Sequence, residues 1–218
     1  MTENEKKRSG PASSGVQEIL QQREHLEQML QEKFKKEATI LFTDICGYTE
    51  YVDKRGDING RALLLKHNHI VLPLIEKHGG KIIEIIGDAV MAAFSIPLAA
   101  VEASISIQKA LEAHNLKTDP ADSICVKIGI NCGEVLVDDS VVYQGFSGNV
   151  ANVASRIQSQ AGPEQIFVSE AVYEKVCRCK DILCRFHKSI TIKGKSEPLK
   201  IYLVVWRDDD IIFPSKPH

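Results

Sequence analysis

Two six-residue runs, KIIEII at 81–86 and AVMAAF at 89–94, are separated only by Gly87-Asp88. Runs of that length rich in Ile, Val and Phe read as strands, and a two-residue joint containing Gly turns them back on each other as an antiparallel hairpin. The hairpin then constrains its neighbours. Before it, ATILF at 38–42 is a short apolar run that reads as a buried strand ending at Thr43-Asp44. Between the two, residues 48–78 place Leu64, Leu65, Ile70, Val71, Leu74 and Ile75 at helical spacing and stop at Gly79-Gly80. After the hairpin, 98–114 is Ala-rich with helical spacing, and 126–131 is a further strand. Strand, helix, strand, strand, helix, strand is the ferredoxin-like βαββαβ order of an α+β fold. Extra C-terminal elements follow: an arm or second hairpin at 133–146, a helix at 149–160, a strand at 165–168, a helix at 169–177 capped by Ser169, and closing strands around 186–192 and 199–206.

A chain of 218 residues with 44% hydrophobic residues can bury one sizeable core but not two full domains. Residues 1–15 are polar and read as a disordered tail. Over 16–37 the residues Ile19, Leu26, Leu30 and Phe34 recur at spacings of seven and four amid Gln, Glu and Lys, the pattern of a linker helix or a short coiled coil. The expected division is therefore a tail at 1–15, a helix at 16–37, one folded domain at 38–206 and a tail at 207–218. A net charge of −2 with scattered Lys and Arg gives no nucleic-acid-binding face. An RNA platform on this strand order would need an aromatic pair on the central strands, which is lacking. No run reaches the roughly 18 to 20 apolar residues of a membrane span, and 1–15 is not signal-like, so a cytoplasmic chain is expected. Six cysteines without a secretory leader read as free thiols, and the cluster Cys177, Cys179 and Cys184 lacks the second pair that a zinc site needs.

Asp44 and Asp88 each stand at the end of an apolar strand. Alone, either would be a cap or turn residue. If the first strand lies beside the hairpin, both carboxylates reach one rim of the sheet, where two hard oxygen donors suit Mg²⁺ or Mn²⁺ holding a polyphosphate. Gly47 and Gly87 flank them and let backbone approach a ligand. On the helix after Gly148, Asn152 and Arg156 are four residues apart and share a face, a pattern that is either a solvated surface or a phosphate-facing pair. Lys193-Gly194-Lys195 lies between the last two strands, either as a charged turn or as a phosphate contact. His67, His69 and His78 read as surface or packing residues.

Taken in order, five segments resemble the class III adenylate and guanylate cyclase family. FTDICGYT at 42–49 is similar to its first metal motif and IGDAVMAAF at 86–94 to its second. KIGINCGEV at 127–135, GNVANVASR at 148–156 and IKGK at 192–195 resemble the remaining three. Each block alone is weak, whereas the ordered set, spread over 38–206, is specific. The resemblance implies a two-metal cyclase that converts a purine nucleoside triphosphate to its 3′,5′-cyclic monophosphate and pyrophosphate. Two Mg²⁺ or Mn²⁺ per site would be held by Asp44, Asp88 and the carbonyl of Ile45. Asn152 would orient the ribose, Arg156 would stabilise charge on the α-phosphate, Lys193 would hold the terminal phosphates, and Phe42 would lie at the substrate. It further implies a head-to-tail homodimer with composite sites. No protein base is needed when a metal acidifies the ribose hydroxyl.

Two positions bear on the base. Glu84, four residues before Asp88, is guanylate-like, because a carboxylate accepts from the ring N–H and exocyclic amine of guanine. Gly145, seven residues before Asn152, offers no side chain, so ATP and GTP both stay open. The alternative is a catalytically silent cyclase-like dimerisation or nucleotide-sensing module, against which Asp44, Asp88, Asn152, Arg156 and Lys193 are all present. A polymerase-like domain condensing two GTP molecules would carry a Gly-Gly-acidic-acidic-Phe hairpin, whereas this one reads Ile-Gly-Asp-Ala-Val.

Overall fold

A computed structural model describes residues 12–136, 149–192 and 197–207. Its order is α1 (Ala12–Phe34), β1 (Lys35–Ile45), α2 (Tyr48–Arg55), α3 (Asp57–Lys77), β2 (Lys81–Ile86), β3 (Ala89–Phe94), α4 (Pro97–Asn115), β4 (Val126–Leu136), α5 (Asn149–Gln158), β5 (Ile166–Ser169), α6 (Glu170–Val176), β6 (Leu183–Ile190) and β7 (Leu199–Val205). The sheet runs β2-β3-β1-β4-β5-β7-β6. Its first four strands are all antiparallel to their neighbours, which is the ferredoxin-like arrangement, and β5 joins β4 in parallel.

Alternation along β1 divides the molecule into two layers. Leu41 and Ile45 face a core built with Val71 and Ile75 of α3, Ile107 of α4 and Val172 of α6. Ala38 and Ile40 face the other way, against Val150, Ala151 and Ala154 of α5. The helix α5 thus covers the opposite face, and β4 seats it. An added Cβ at Gly129 would lie 2.2 Å from the Gln158 backbone nitrogen and 2.6 Å from the Ala154 carbonyl oxygen. The buried Asn131, two residues on, donates from Nδ2 to the Val150 carbonyl at 3.1 Å. One position without a side chain and one amide therefore fix both ends of the helix.

Three local expectations are corrected. The helical segment at 48–78 is two helices, α2 and α3, because Gly56 breaks it with φ 82° and ψ 163°, a conformation that a side chain would resist. The helix expected over 16–37 ends at Phe34, and β1 starts at Lys35, because β4 extends to Leu136 and pairs that residue with Lys35. Residues 133–136, expected in a separate arm, are the end of β4. Among the described residues no helix is long and apolar enough to cross a membrane.

Candidate active site

β1 pairs with β3 in the register Phe42↔Met91 and Thr43↔Val90, so the hairpin turn at Gly87-Asp88 falls beside the end of β1. Asp88 Oδ2 there accepts from the Ile45 backbone N–H at 3.2 Å. Asp44 and Asp88, 44 residues apart in sequence, consequently share one rim. Burial pushes the Asp88 carboxyl above its usual range, and the Asp44 carboxylate beside it adds to the effect. Gly47 and Gly87 take φ of 71° and 63°, so the chain turns three residues after Asp44 and immediately before Asp88.

Two further side chains reach Asp44. Lys127 stands directly opposite it on β4, and its Nζ lies 2.9 Å from Asp44 Oδ2. Gln158, buried at the end of α5, donates from Nε2 to the same oxygen at 3.2 Å. The sequence reading named neither as a partner. Lys127 was nonetheless conspicuous, a cation inside the apolar run VKIGI, where a charge is retained only if it is paired. Next along the strands, Cys46 donates its backbone N–H to the Cys125 carbonyl at 2.8 Å. The two thiols are hydrogen-bonded, which lowers the Cys46 pKa and, together with burial, raises that of Cys125.

Asn152 and Arg156 do not join this rim. Both are exposed on the outer side of α5, away from the inner side that carries Ala154 and Gln158. Arg156 opens onto a cleft of about 370 Å³ lined also by Ser159, Gln160, Lys188 and residues 189–192. Lys188 is a second cation that the sequence reading had not singled out. Glu84 is exposed on the edge strand β2, in register with Met91, which is in turn in register with Phe42, so the three form one row across the sheet. Lys193 and Gly145 lie outside the described residues. His67 is fully buried on α3, with Nδ1 2.9 Å from Asn68 Oδ1, and burial pushes its pKa down. His78 is half-buried with Nε2 3.0 Å from Ser106 Oγ, and His69 is exposed.

Two carboxylates at one rim of a ferredoxin-like sheet, with the row of Phe42, Met91 and Glu84 across the hairpin and a cleft carrying Arg156 and Lys188, narrow the family. The sequence model of the adenylate and guanylate cyclase catalytic domain matches residues 30–205. The chain belongs to that family. Among curated relatives, a putative adenylate cyclase 3 of Rhizobium meliloti is 29% identical over 145 residues, which cover 66% of this chain and 24% of that protein. The chain spans a quarter or less of the first curated relatives it matches. Among solved structures, the adenylyl cyclase CyaB from P. aeruginosa superposes with a TM-score of 0.69 at 27% identity, covering 78% of this chain and 94% of that one. The guanylyl cyclase Cya2 superposes with the same score at 25% identity, covering 78% and 92%. The fold is that of a class III cyclase catalytic domain. Such domains generally use divalent metal ions, and the two hard carboxylates, Asp44 and Asp88, are donors of the kind such ions take.

Proposed function

We propose that this chain is a nucleotidyl cyclase, which closes the 3′-hydroxyl of ATP or GTP onto its α-phosphate and releases pyrophosphate. The observation that carries the reading is the meeting of Asp44 and Asp88 at the end of β1, with Asp88 anchored by the Ile45 N–H. Two neighbouring carboxylates, one with its pKa raised by burial and further by the charge of the other, are a site that a dication relieves. Asp44, Asp88 and the Ile45 carbonyl hold two Mg²⁺ or Mn²⁺ in this reading. When bound, these ions acidify the ribose hydroxyl and neutralise the leaving pyrophosphate.

The remaining steps belong to the chain's own side chains. Lys127 and Gln158 fix the Asp44 carboxylate, so its oxygens are oriented before substrate arrives. Asn152 orients the ribose, and Arg156 supplies positive charge at the α-phosphate as charge develops there. Lys188 shares the Arg156 cleft and, together with Lys193, gives the terminal phosphates a cationic seat. Since Asn152 and Arg156 are exposed away from the rim, they serve the rim of a second copy, which gives a homodimer with two composite sites. A helix, Ala12–Phe34, leading into one catalytic domain that begins with β1 at Lys35, and a place in the cytoplasm, complete this reading.

Glu84 decides the base. Its position on the row that includes Phe42 favours contact with the purine edge, and an acidic acceptor there prefers guanine. Purified protein with Mn²⁺ and each of ATP and GTP is expected to yield a cyclic nucleotide, and Asp44→Ala to yield none. Glu84→Lys is expected to shift the GTP-to-ATP ratio of kcat/KM toward ATP by about tenfold or more. Product from neither triphosphate would support the silent dimerisation or nucleotide-sensing module instead. An unchanged ratio would remove Glu84 from base selection.

A further inference from the structure

β1 and β4 keep their register to the pair Ile45↔Val126, and the next opposed residues are Cys46 and Cys125. The Cys46 N–H donates to the Cys125 carbonyl, so the strands remain in hydrogen-bonding contact at this pair. Opposed Cα atoms of a hydrogen-bonded antiparallel pair lie about 5.5 Å apart, within the span that a disulfide bridges. The two side chains are carried by directly opposed residues, and both residues are partly exposed. By strand alternation, Cys125 shares the sheet face of Lys127, the partner of Asp44. Of the other cysteines, Cys132 is buried, Cys177 and Cys179 follow the end of α6, and Cys184 lies on β6.

We infer that Cys46 and Cys125 form a reversible dithiol–disulfide modification site, closed by peroxide or by a small-molecule disulfide, whose closure weakens divalent-cation capture at the adjoining carboxylate rim. The effect on the cation rests on the cyclase reading above. With hydrogen peroxide, one thiol sulfur attacks the O–O bond and becomes a sulfenic acid as the first water leaves. The second thiol then displaces the sulfenic oxygen as another water, so two thiols lose two electrons and two protons, and one peroxide becomes two waters. With oxidised glutathione, two exchange steps release two molecules of glutathione.

Closure acts on the rim through the backbone. Contracting a hydrogen-bonded pair of sulfurs to a bond of about 2.05 Å draws Cys46 toward β4. The residue before it, Ile45, is the one whose N–H holds Asp88 and whose carbonyl is the third candidate ligand. Pulling that peptide toward β4 moves it away from the β2–β3 turn, on the opposite side of β1, and so separates the donors.

The test treats the full chain with hydrogen peroxide or oxidised glutathione, maps the cysteine peptides by mass, and titrates Mn²⁺ by calorimetry before and after. The expected result is a Cys46–Cys125 cross-linked peptide that dithiothreitol reverses, with Mn²⁺ affinity several-fold weaker in the oxidised form and restored on reduction. Cys46→Ser and Cys125→Ser should each bind Mn²⁺ like the reduced chain and no longer respond to oxidant. A missing cross-link overturns the dithiol assignment and leaves the cyclase reading standing. A cross-link that leaves Mn²⁺ affinity unchanged overturns the coupling, and a reduced chain that binds no Mn²⁺ overturns the coupling and the metal reading together.

Discussion

The carboxylate rim and the outer side of α5 carry the candidate chemistry of this domain, and they are built in opposite ways. At the rim, two strands, a hairpin turn and a helix end converge: Lys127 from β4 and Gln158 from α5 hold the Asp44 carboxylate of β1, and Asp88 from the turn accepts from the N–H of the next residue, Ile45. On α5, Asn152 and Arg156 stand exposed, and the cleft beside Arg156 contains no member of the rim. The rim is organised within one chain, whereas the helix presents its donors outward. If the two regions serve one reaction, as proposed above, they must meet between two copies.

The sharpest way to break that comparison is complementation. Asp44→Ala and Arg156→Ala should each lower kcat by about a hundredfold or more, the usual cost of removing a group that meets developing charge. Co-expressed, the two variants form mixed dimers in which one site carries both lesions and the other carries neither. About a quarter of wild-type activity should then return for random pairing of symmetric protomers. If activity stays at the single-variant level while mixed dimers are present, the rim and the helix do not work across an interface.

A smaller effect is expected at the joint between the two regions. Gly129 lies under α5 with no room for a Cβ, and the atoms it would strike, Gln158 N and Ala154 O, are backbone that cannot rotate aside. Gly129→Ala should therefore cost about 1–3 kcal/mol by overpacking and lower Tm by several degrees. It should also reduce activity by lifting Gln158 from Asp44. Gly133→Ala is the control, since its Cβ would meet only a Val150 methyl, at 3.1 Å. Equal losses for the two would mean that α5 is not seated at Gly129.

The same contrast explains what the sequence made legible. The hairpin at 81–94 and the strand before Asp44 are visible because apolar runs bounded by Gly and Asp carry their own length and period. That local signal, with β1 beside β3, suffices to bring Asp44 and Asp88 together. The partners of Asp44 depend instead on the register of β1 against β4 and on where α5 is seated, and no local window encodes either. Lys127 could have been flagged as a charge in a strand core, but Gln158 and the opposed pair Cys46 and Cys125 carry no such mark. The break at Gly56 was equally hidden, since a lone Gly in a helical pattern is compatible with either outcome. The roles of Asn152, Arg156 and Lys193 came from the resemblance rather than from spacing and await the experiments above.

The smallest effect separates stability from function at the rim itself. Asp88 has its folded-state pKa raised by burial and by Asp44, so the fold disfavours its charged form. A carboxyl whose folded pKa exceeds its unfolded value favours folding fully below the unfolded value, and that contribution is lost as pH rises through the folded pKa. At neutral pH in chelator, wild-type protein therefore keeps two neighbouring carboxylates at a cost. Asp88→Asn removes the charge yet retains an oxygen to accept the Ile45 N–H, and its amide can donate to Asp44. The variant should melt a few degrees above wild type at pH 7 to 8 in chelator, with the gap closing as pH falls through the raised folded pKa toward the ordinary carboxyl value. Saturating Mn²⁺ should reverse the order, because the cation binds the folded wild-type rim and raises its Tm by mass action while the variant lacks a ligand. If Asp88→Asn melts below wild type in chelator, the Asp88 carboxylate is a structural element of the fold rather than a strained donor kept for a cation.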